Sequence, residues 1–392
     1  MEDIIPYDLV TTKLNFWYTA IKNNLIKDAV NLKKEIDILI KNMEENQDVL
    51  LYYQLLNFRH DIMLSYMTSK SLNEIKESHD YLNYLKKKKK NMNQMLEYYF
   101  YYFMGMYEFR RKELTTAITA YRRAEQKLAQ IDDEIEHAEF FFKVSEVYYY
   151  MKQTYFSLNY AKRALRIYMK KDTYADRIIH VQCIIAGNYF DILDYSGALK
   201  MFEENLNISK EIQKKHLIGT SHMNIGICSI SMKEYDKAEH HLRIALKILE
   251  EEKHSFLTKA LFNMCLIKFK KNQLKEAKQY LKKGQRISRL NHDQEYLTKF
   301  MILQSLYLKE NKELLHQCFD FLKKRKMFAD IEEYSLEVAD FFYEKGNYEA
   351  SSEYYRIMKF ARDEIKKGEM MNENHIDAFG ATSTSGRGYI RN

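Results

Sequence analysis

Three stretches near the start of the chain place apolar residues at helical spacing. Leu9, Val10, Leu14, Trp17 and Ile21 share one face of a first helix. Asn23 and Asn24 break it, and Ala29, Leu32, Ile36 and Ile40 mark a second. The pattern resets at Glu45, Asn46 and Gln47, with Asn46 an N-cap, before Leu51, Leu55, Phe58 and Ile62 mark a third. Short turns between three amphipathic helices predict a small antiparallel bundle.

Farther along, a two-part mark recurs: Leu114-x-x-Ala117, Thr154-x-x-Ser157, Tyr195-x-x-Ala198, Tyr235-x-x-Ala238, Leu274-x-x-Ala277, Leu314-x-x-Gln317 and Tyr348-x-x-Ser351. Its first residues are 40, 41, 40, 39, 40 and 34 positions apart. Seven residues past the first stand Tyr121, Ala161, Phe202, Leu242 and Leu281. Three further on stand Ala124, Ala164, Ala245 and Gly284, with Asn205 as a departure. Such a period means stacked helical hairpins, none able to bury its apolar face alone. The small residues let paired helices approach closely, and a curved stack of hairpins is a surface for peptides and proteins.

Composition narrows the class. One proline and 11 glycines in 392 residues leave too few breakers for a strand-and-turn architecture, so the fold is read as all-α. The domains read as 1–67 bundle, 68–92 connector, 93–370 about seven hairpins and 371–392 a disordered tail. Cys183, Cys228, Cys265 and Cys318 lie about one repeat apart and never as C-x-x-C, which suits core thiols in a reduced, cytoplasmic compartment. No run of about 18 apolar residues suggests a membrane span. The net charge of +7 is mild, and Lys86 to Lys90 reads as a solvated connector, not a nucleic-acid site. The many tyrosines read as packing knobs and His240-His241 as a surface pair. No phosphate loop, serine-hydrolase elbow or zinc-protease motif occurs, and no metal site is expected.

Several runs carry a family resemblance. Val10-Thr-Thr-Lys-Leu-Asn-Phe-Trp-Tyr18, Asn46-Gln-Asp-Val-Leu-Leu-Tyr-Tyr-Gln-Leu-Leu56 and Ala138-Glu-Phe-Phe-Phe-Lys-Val144 resemble the Rap family of quorum-sensing regulators. So do Met151-Lys-Gln-Thr154 and Ser157-Leu-Asn-Tyr-Ala161. The resemblance covers residues 7 to about 365. It implies a three-helix bundle joined to tetratricopeptide-like repeats. It also implies a cytoplasmic protein-aspartate phosphatase acting on a phosphorylated response regulator of the sporulation phosphorelay, inhibited by a short Phr-type pentapeptide. Some members instead sequester the DNA-binding domain of a competence-type response regulator without chemistry.

Site residues follow from the same resemblance. Gln47 matches the family's inserted glutamine, which orients the attacking water. Leu96 matches a family contact to the partner, while Leu50 and Phe58 are read either as contacts beside Gln47 or as bundle core. Asp191 matches an anchor for a basic peptide residue and Asn224 a clamp on the peptide backbone. Asn263 occupies the Asn224 place one repeat later. No cofactor of the chain's own is implied, because a divalent metal such as Mg belongs to the response regulator. Residues 47, 50, 54 and 58 form one helical stripe, so on the first of these readings Leu50 and Phe58 grip the partner beside Gln47. Two further classes fit less well. A peptide-responsive transcription factor needs a compact helix-turn-helix, and a scaffold needs no peptide.

Overall fold

The computed structural model describes residues 4–67 and 76–380. Among them there are eighteen α-helices and no β-strand. By its contacts the chain divides between Val147 and Tyr148. In the first of these units the N-terminal helices pack onto the first repeat and share its core.

In the first unit the bundle helices are α1 (Tyr7–Lys22), α2 (Ile26–Leu39) and α3 (Gln47–Met67). Val10, Leu14, Trp17 and Ile21 are fully buried, as their spacing predicts, while Leu9 is exposed. Leu51, Leu55, Phe58 and Ile62 are likewise fully buried. Next comes α4 (Lys76–Lys88), whose last turn carries Lys86, Lys87 and Lys88 where the helix dipole favours cations. Residues 68–75 of the expected connector lie outside the described residues.

α3 then packs on α5 (Gln94–Arg110) through aromatic rings. Phe58 meets Tyr107 with ring centroids 5.3 Å apart, and Tyr52 meets Tyr99 at 5.8 Å. Tyr98, Tyr101 and Tyr102 are buried too, which makes the tyrosines of this helix packing knobs. α5 pairs with α6 (Leu114–Glu125), where a Cβ at Gly105 would stand 2.5 Å from the Tyr121 ring.

α7 (Glu134–Tyr150) runs across the division and α8 (Thr154–Tyr168) follows it; Tyr148 stacks on Phe156 and Tyr160. The second unit continues with α9 (Ala175–Asp191), α10 (Tyr195–Glu211), α11 (Lys215–Ser231) and α12 (Tyr235–Glu251). It ends with α13 (Leu257–Lys270), α14 (Leu274–Leu290), α15 (Gln294–Tyr307), α16 (Lys312–Lys324), α17 (Phe328–Glu344) and α18 (Tyr348–Gly380). Among the described residues α5 and α6, α9 and α10, α11 and α12, α13 and α14, α15 and α16, and α17 and α18 pack as consecutive pairs.

The recurring mark has a structural meaning. Leu114, Thr154, Tyr195, Tyr235, Leu274 and Tyr348 are each the first residue of a pair's second helix. Two residues before each stands Lys112, Lys152, Leu193, Lys233, Asn272 or Gly346, with φ between 56° and 73°. Their amide bonds close Schellman-type ends, as in Gln153 N–H to Tyr148 O at 2.9 Å. Ala117, Ser157, Ala198, Ala238, Ala277 and Ser351 are all buried against their partner helices.

Two expectations need correction. In the sixth repeat the mark is out of register: α16 starts at Lys312, so Leu315, Phe319 and Leu322 fill the buried places and Gln317 is exposed. A lysine at the helix start hid that register from an apolar pattern. The last helix, α18, is described as far as Gly380 and passes through Gly368. Residues 381–392 of the expected tail lie outside the described residues. His240 is exposed, but His241 turns inward and its Nδ1 lies 2.9 Å from the buried His222 Nδ1. Adjacent helical residues point about 100° apart, so one ring faces solvent and the other packs.

The cysteines are all free, and Cys228, Cys265 and Cys318 are buried. Among the described residues no helix is long and apolar enough to cross a membrane.

Two substitutions should move stability in opposite directions. A Cβ at Gly226 would lie 2.7 Å from Leu242 Cγ and 3.3 Å from the Ala238 carbonyl oxygen. Gly226→Ala should cost about 1–3 kcal/mol by overpacking. Lys233→Gly, at an exposed φ of 61°, should gain about 1 kcal/mol by relieving a left-handed conformation. Urea denaturation of both variants measures this.

Candidate functional sites

The first site is the tip where α3 begins. Ile5 pairs with the α2–α3 loop: its N–H donates to Asn42 O at 2.9 Å and its carbonyl accepts from Glu44 N–H at 2.8 Å. Asn46 caps α3, its Oδ1 accepting from Asp48 and Val49 N–H, both at 3.1 Å. Asp48 Oδ2 accepts from Asn93 Nδ2 at 3.1 Å, and Asn93 itself caps α5 through Leu96 N–H at 3.0 Å. The loop is thus held on three sides. On it Gln47 is exposed, and its carboxamide makes no hydrogen bond among the described residues.

Down the same stripe exposure falls away. Leu50 and Gln54 are half-buried, and Phe58 is fully buried against Tyr107. Leu96 is 1% exposed. Phe58 and Leu96 are therefore core residues of the first unit in this structure, not surface grips. The cause is α3 packing on α5, which buries the inner part of the stripe.

Glu136 anchors that packing. It is 1% exposed, and it accepts from Tyr18 Oη at 2.6 Å, Lys22 Nζ at 3.1 Å and Tyr98 Oη at 3.4 Å. Burial pushes its carboxyl above the usual range, against the opposing pull of Lys22 and the Tyr18 hydroxyl. A carboxylate on α7 is thereby joined to two side chains of α1.

The second site is the concave face of the second unit. Asp191 closes α9, and its Oδ1 lies 3.3 Å from Lys152 Nζ. Burial raises the Asp191 carboxyl while Lys152 opposes it. The charges of Glu332 and Lys259 also reach Asp191. Burial, then Lys299 and Asp330, act on Glu333, which also feels Lys152 and Asp191. Charges on α9 and α17 thus act on one another. A straight row of inner helices at about 10 Å spacing would hold α9 and α17 about 40 Å apart. Coulombic influence falls off with distance, so charges on α9 and α17 that act on one another fit a curled row better than a straight one. Glu333 is solvent-accessible and yet desolvated, as a side chain on the wall of a narrow concavity is.

Asn224 is half-buried, and its Nδ2 donates to Cys183 Sγ at 3.7 Å. Asn205, the departure from the small-residue rule, donates to the same sulfur at 3.6 Å. Asn263 is buried and donates to the Lys259 carbonyl at 2.9 Å. Asp191 and Asn224 thus lie on neighbouring inner helices, while the Asn263 carboxamide is folded back on its own helix. Sequence reasoning missed Lys152, Lys259, Glu333 and the Lys299 cluster. Lys259 stands four residues before Asn263, a spacing that puts both on one face; the other three are joined only by tertiary folding.

Comparison with known proteins decides the family. Residues 4–65 match the family model described as response regulator aspartate phosphatase H, N terminal. Response regulator aspartate phosphatase I of Bacillus subtilis (strain 168) is 53% identical over 97% of this chain and 97% of its own. The chain belongs to the Rap family. The crystal structure of apo RapI is 52% identical, covers 92% of this chain and 99% of its own, and superposes with a TM-score of 0.65. A Rap protein in complex with competence and sporulation factor is 37% identical, with coverage of 92% and 99% and a TM-score of 0.85. The tetratricopeptide-like architecture of the repeats is that of the family.

A buried histidine gives the first unit a pH dependence. His60 is 2% exposed, neither ring nitrogen is hydrogen-bonded, and it packs edge-on to Trp17 at 5.4 Å. Burial, then the charges of Lys33 and Arg59, lower its pKa from 6.5 to about 4. The unfolded chain takes up this proton near 6.5 and the folded chain resists it down to about 4, so stability falls as pH drops through that window. Wild type should lose about 3 kcal/mol more than His60→Phe between pH 7 and pH 4. Denaturant titration at each pH checks the difference.

Proposed function

We propose that this chain dephosphorylates the aspartyl-phosphate of a response regulator of the sporulation phosphorelay, working in the cytoplasm. An aspartyl-phosphate is an activated acyl phosphate whose metal, a divalent ion such as Mg, is held by the response regulator. A partner needs only to place one water in line with phosphorus. A carboxamide suits that work, because it donates and accepts hydrogen bonds and adds no charge against phosphate. Glutamine has this part in small GTPases. The single observation carrying the reading is Gln47: exposed and unbonded on a loop held by Ile5, Asn46 and Asp48.

The second half of the proposal is inhibition by a short Phr-type peptide in the concave face of the second unit. Asp191 would take a basic residue by a charge-assisted hydrogen bond, in competition with Lys152. Asn224, and Asn263 after reorientation, would pair with the peptide backbone. The complex of a related Rap protein with competence and sporulation factor supports this reading.

Burial of Phe58 and Leu96 supports a two-state switch. With α3 packed on α5 only Gln47 and Leu50 of the expected contacts reach the surface, and partner binding requires release. Peptide inhibits if it binds the packed state better. Shifting the balance from 1:99 to 99:1 takes about 5.5 kcal/mol of differential binding.

A phosphate-release assay on the phosphorylated response regulator tests the chemistry. Gln47→Ala should slow release about 100-fold while affinity for the partner stays within about threefold. Unchanged release would remove Gln47 from the mechanism. If wild type releases no phosphate but blocks binding of a competence-type response regulator to DNA, sequestration is the function instead.

A further inference from the structure

The concave face holds several lysines, and their circumstances differ. Lys152 is paired with Asp191 at 3.3 Å. Lys299 is paired with Glu295 and Asp330, both at 2.8 Å. Lys259 has no ion pair or side-chain hydrogen bond among the described residues. It lies on α13 one turn before Asn263, whose side chain donates to its carbonyl, so the two share a face. The lysine side chain is half-buried. Burial, then the Lys299 cation, makes its ammonium easier to deprotonate than usual. Glu333 and Glu295 act on it from a distance, but neither comes within ion-pair range.

A desolvated cation without a counter-charge is costly, and a bound anion offsets the cost. The wall around it carries mainly carboxylates: Asp191, Glu295, Asp330, Glu332 and Glu333. Asp191, Glu295 and Asp330 are already paired with Lys152 and Lys299, and Glu332 with Arg362, which leaves Lys259 as the cation without a counter-charge for an acidic ligand group. Every free peptide, whatever its side chains, carries one such group at its C-terminus. A basic residue held by Asp191 and a terminus held by Lys259 would also fix the direction of the chain.

We infer that Lys259 receives the free C-terminal carboxylate of the signalling peptide. The inference rests on the peptide reading above and gives that site its recognition chemistry. It sets a requirement that a C-terminally amidated peptide does not meet.

Affinity selection with mass spectrometry tests it, using a random pentapeptide library made once with free C-termini and once as C-terminal amides. Wild type should retain free-acid peptides at least about tenfold over their amides. Lys259→Met should bring that ratio to about one, with a melting temperature no lower than wild type. Lys259→Arg, which keeps the cation, should keep the preference. Equal retention of acids and amides by wild type would overturn the inference, as would an undiminished preference in Lys259→Met. Amidated peptides retained through an Asp or Glu side chain in a Lys259-dependent way would also overturn it. Retention of nothing from either library would instead sink the peptide reading itself, and the inference with it.

Discussion

The first unit depends on where one carboxylate goes. Glu136 is withdrawn from water, and desolvation of an unpaired carboxylate would cost several kcal/mol. Its bonds to Tyr18, Lys22 and Tyr98 offset that cost only if α1 lies against the first repeats. Once α1 is there, α3 follows, because Trp17, Tyr53 and His60 lock the two helices together. The inner stripe of α3 then meets α5, and Phe58 is buried. Only the tip with Gln47 remains outside, held by Ile5 and Asn93. A single buried acid thus decides which residues of α3 reach the surface.

In the second unit the controlling constraint is curvature. Small residues at the helix contacts let each pair pack closely, and repetition of one small rotation brings α17 round to face α9. Carboxylates and lysines that would be solvated on a straight stack then share one narrow, partly dry space. Lys152 and Lys299 find counter-charges there, and Lys259 does not. Binding chemistry in this site comes from the collective shape, not from any local motif. One helix, α7, carries Glu136 near its start and Tyr149 near its end, and the Tyr149 ring passes over Gly187 on the concave side.

Much of this was legible in the sequence because it is local. The forty-residue mark gave the second-helix starts at Leu114, Thr154, Tyr195, Tyr235, Leu274 and Tyr348, since each follows a left-handed turn residue that resets the pattern. Asn46 was legible as a cap for the same reason. The sixth repeat was not, because Lys312 begins α16 without an apolar side chain. Turns formed by Lys112, Lys152, Leu193 and Lys233 gave no glycine signal. Gln47, Asp191 and Asn224 came from resemblance, not from periodicity, and the geometry leaves each accessible in part. Burial of Phe58 and Leu96, the Lys152–Asp191 pair and the isolation of Lys259 join residues dozens of positions apart. Periodicity carries no information about such pairs.

The central claim is that the Glu136 anchor keeps the inner stripe of α3, Phe58 with it, packed away from the partner that the proposed function gives this chain. The most direct measurement is the affinity of Glu136→Ala for the response regulator, by titration calorimetry, after circular dichroism shows its helices intact. Loss of the anchor leaves Lys22 without its buried partner and weakens the packed state, so binding should be tighter than wild type. Affinity equal to or weaker than wild type in a folded variant would contradict the account.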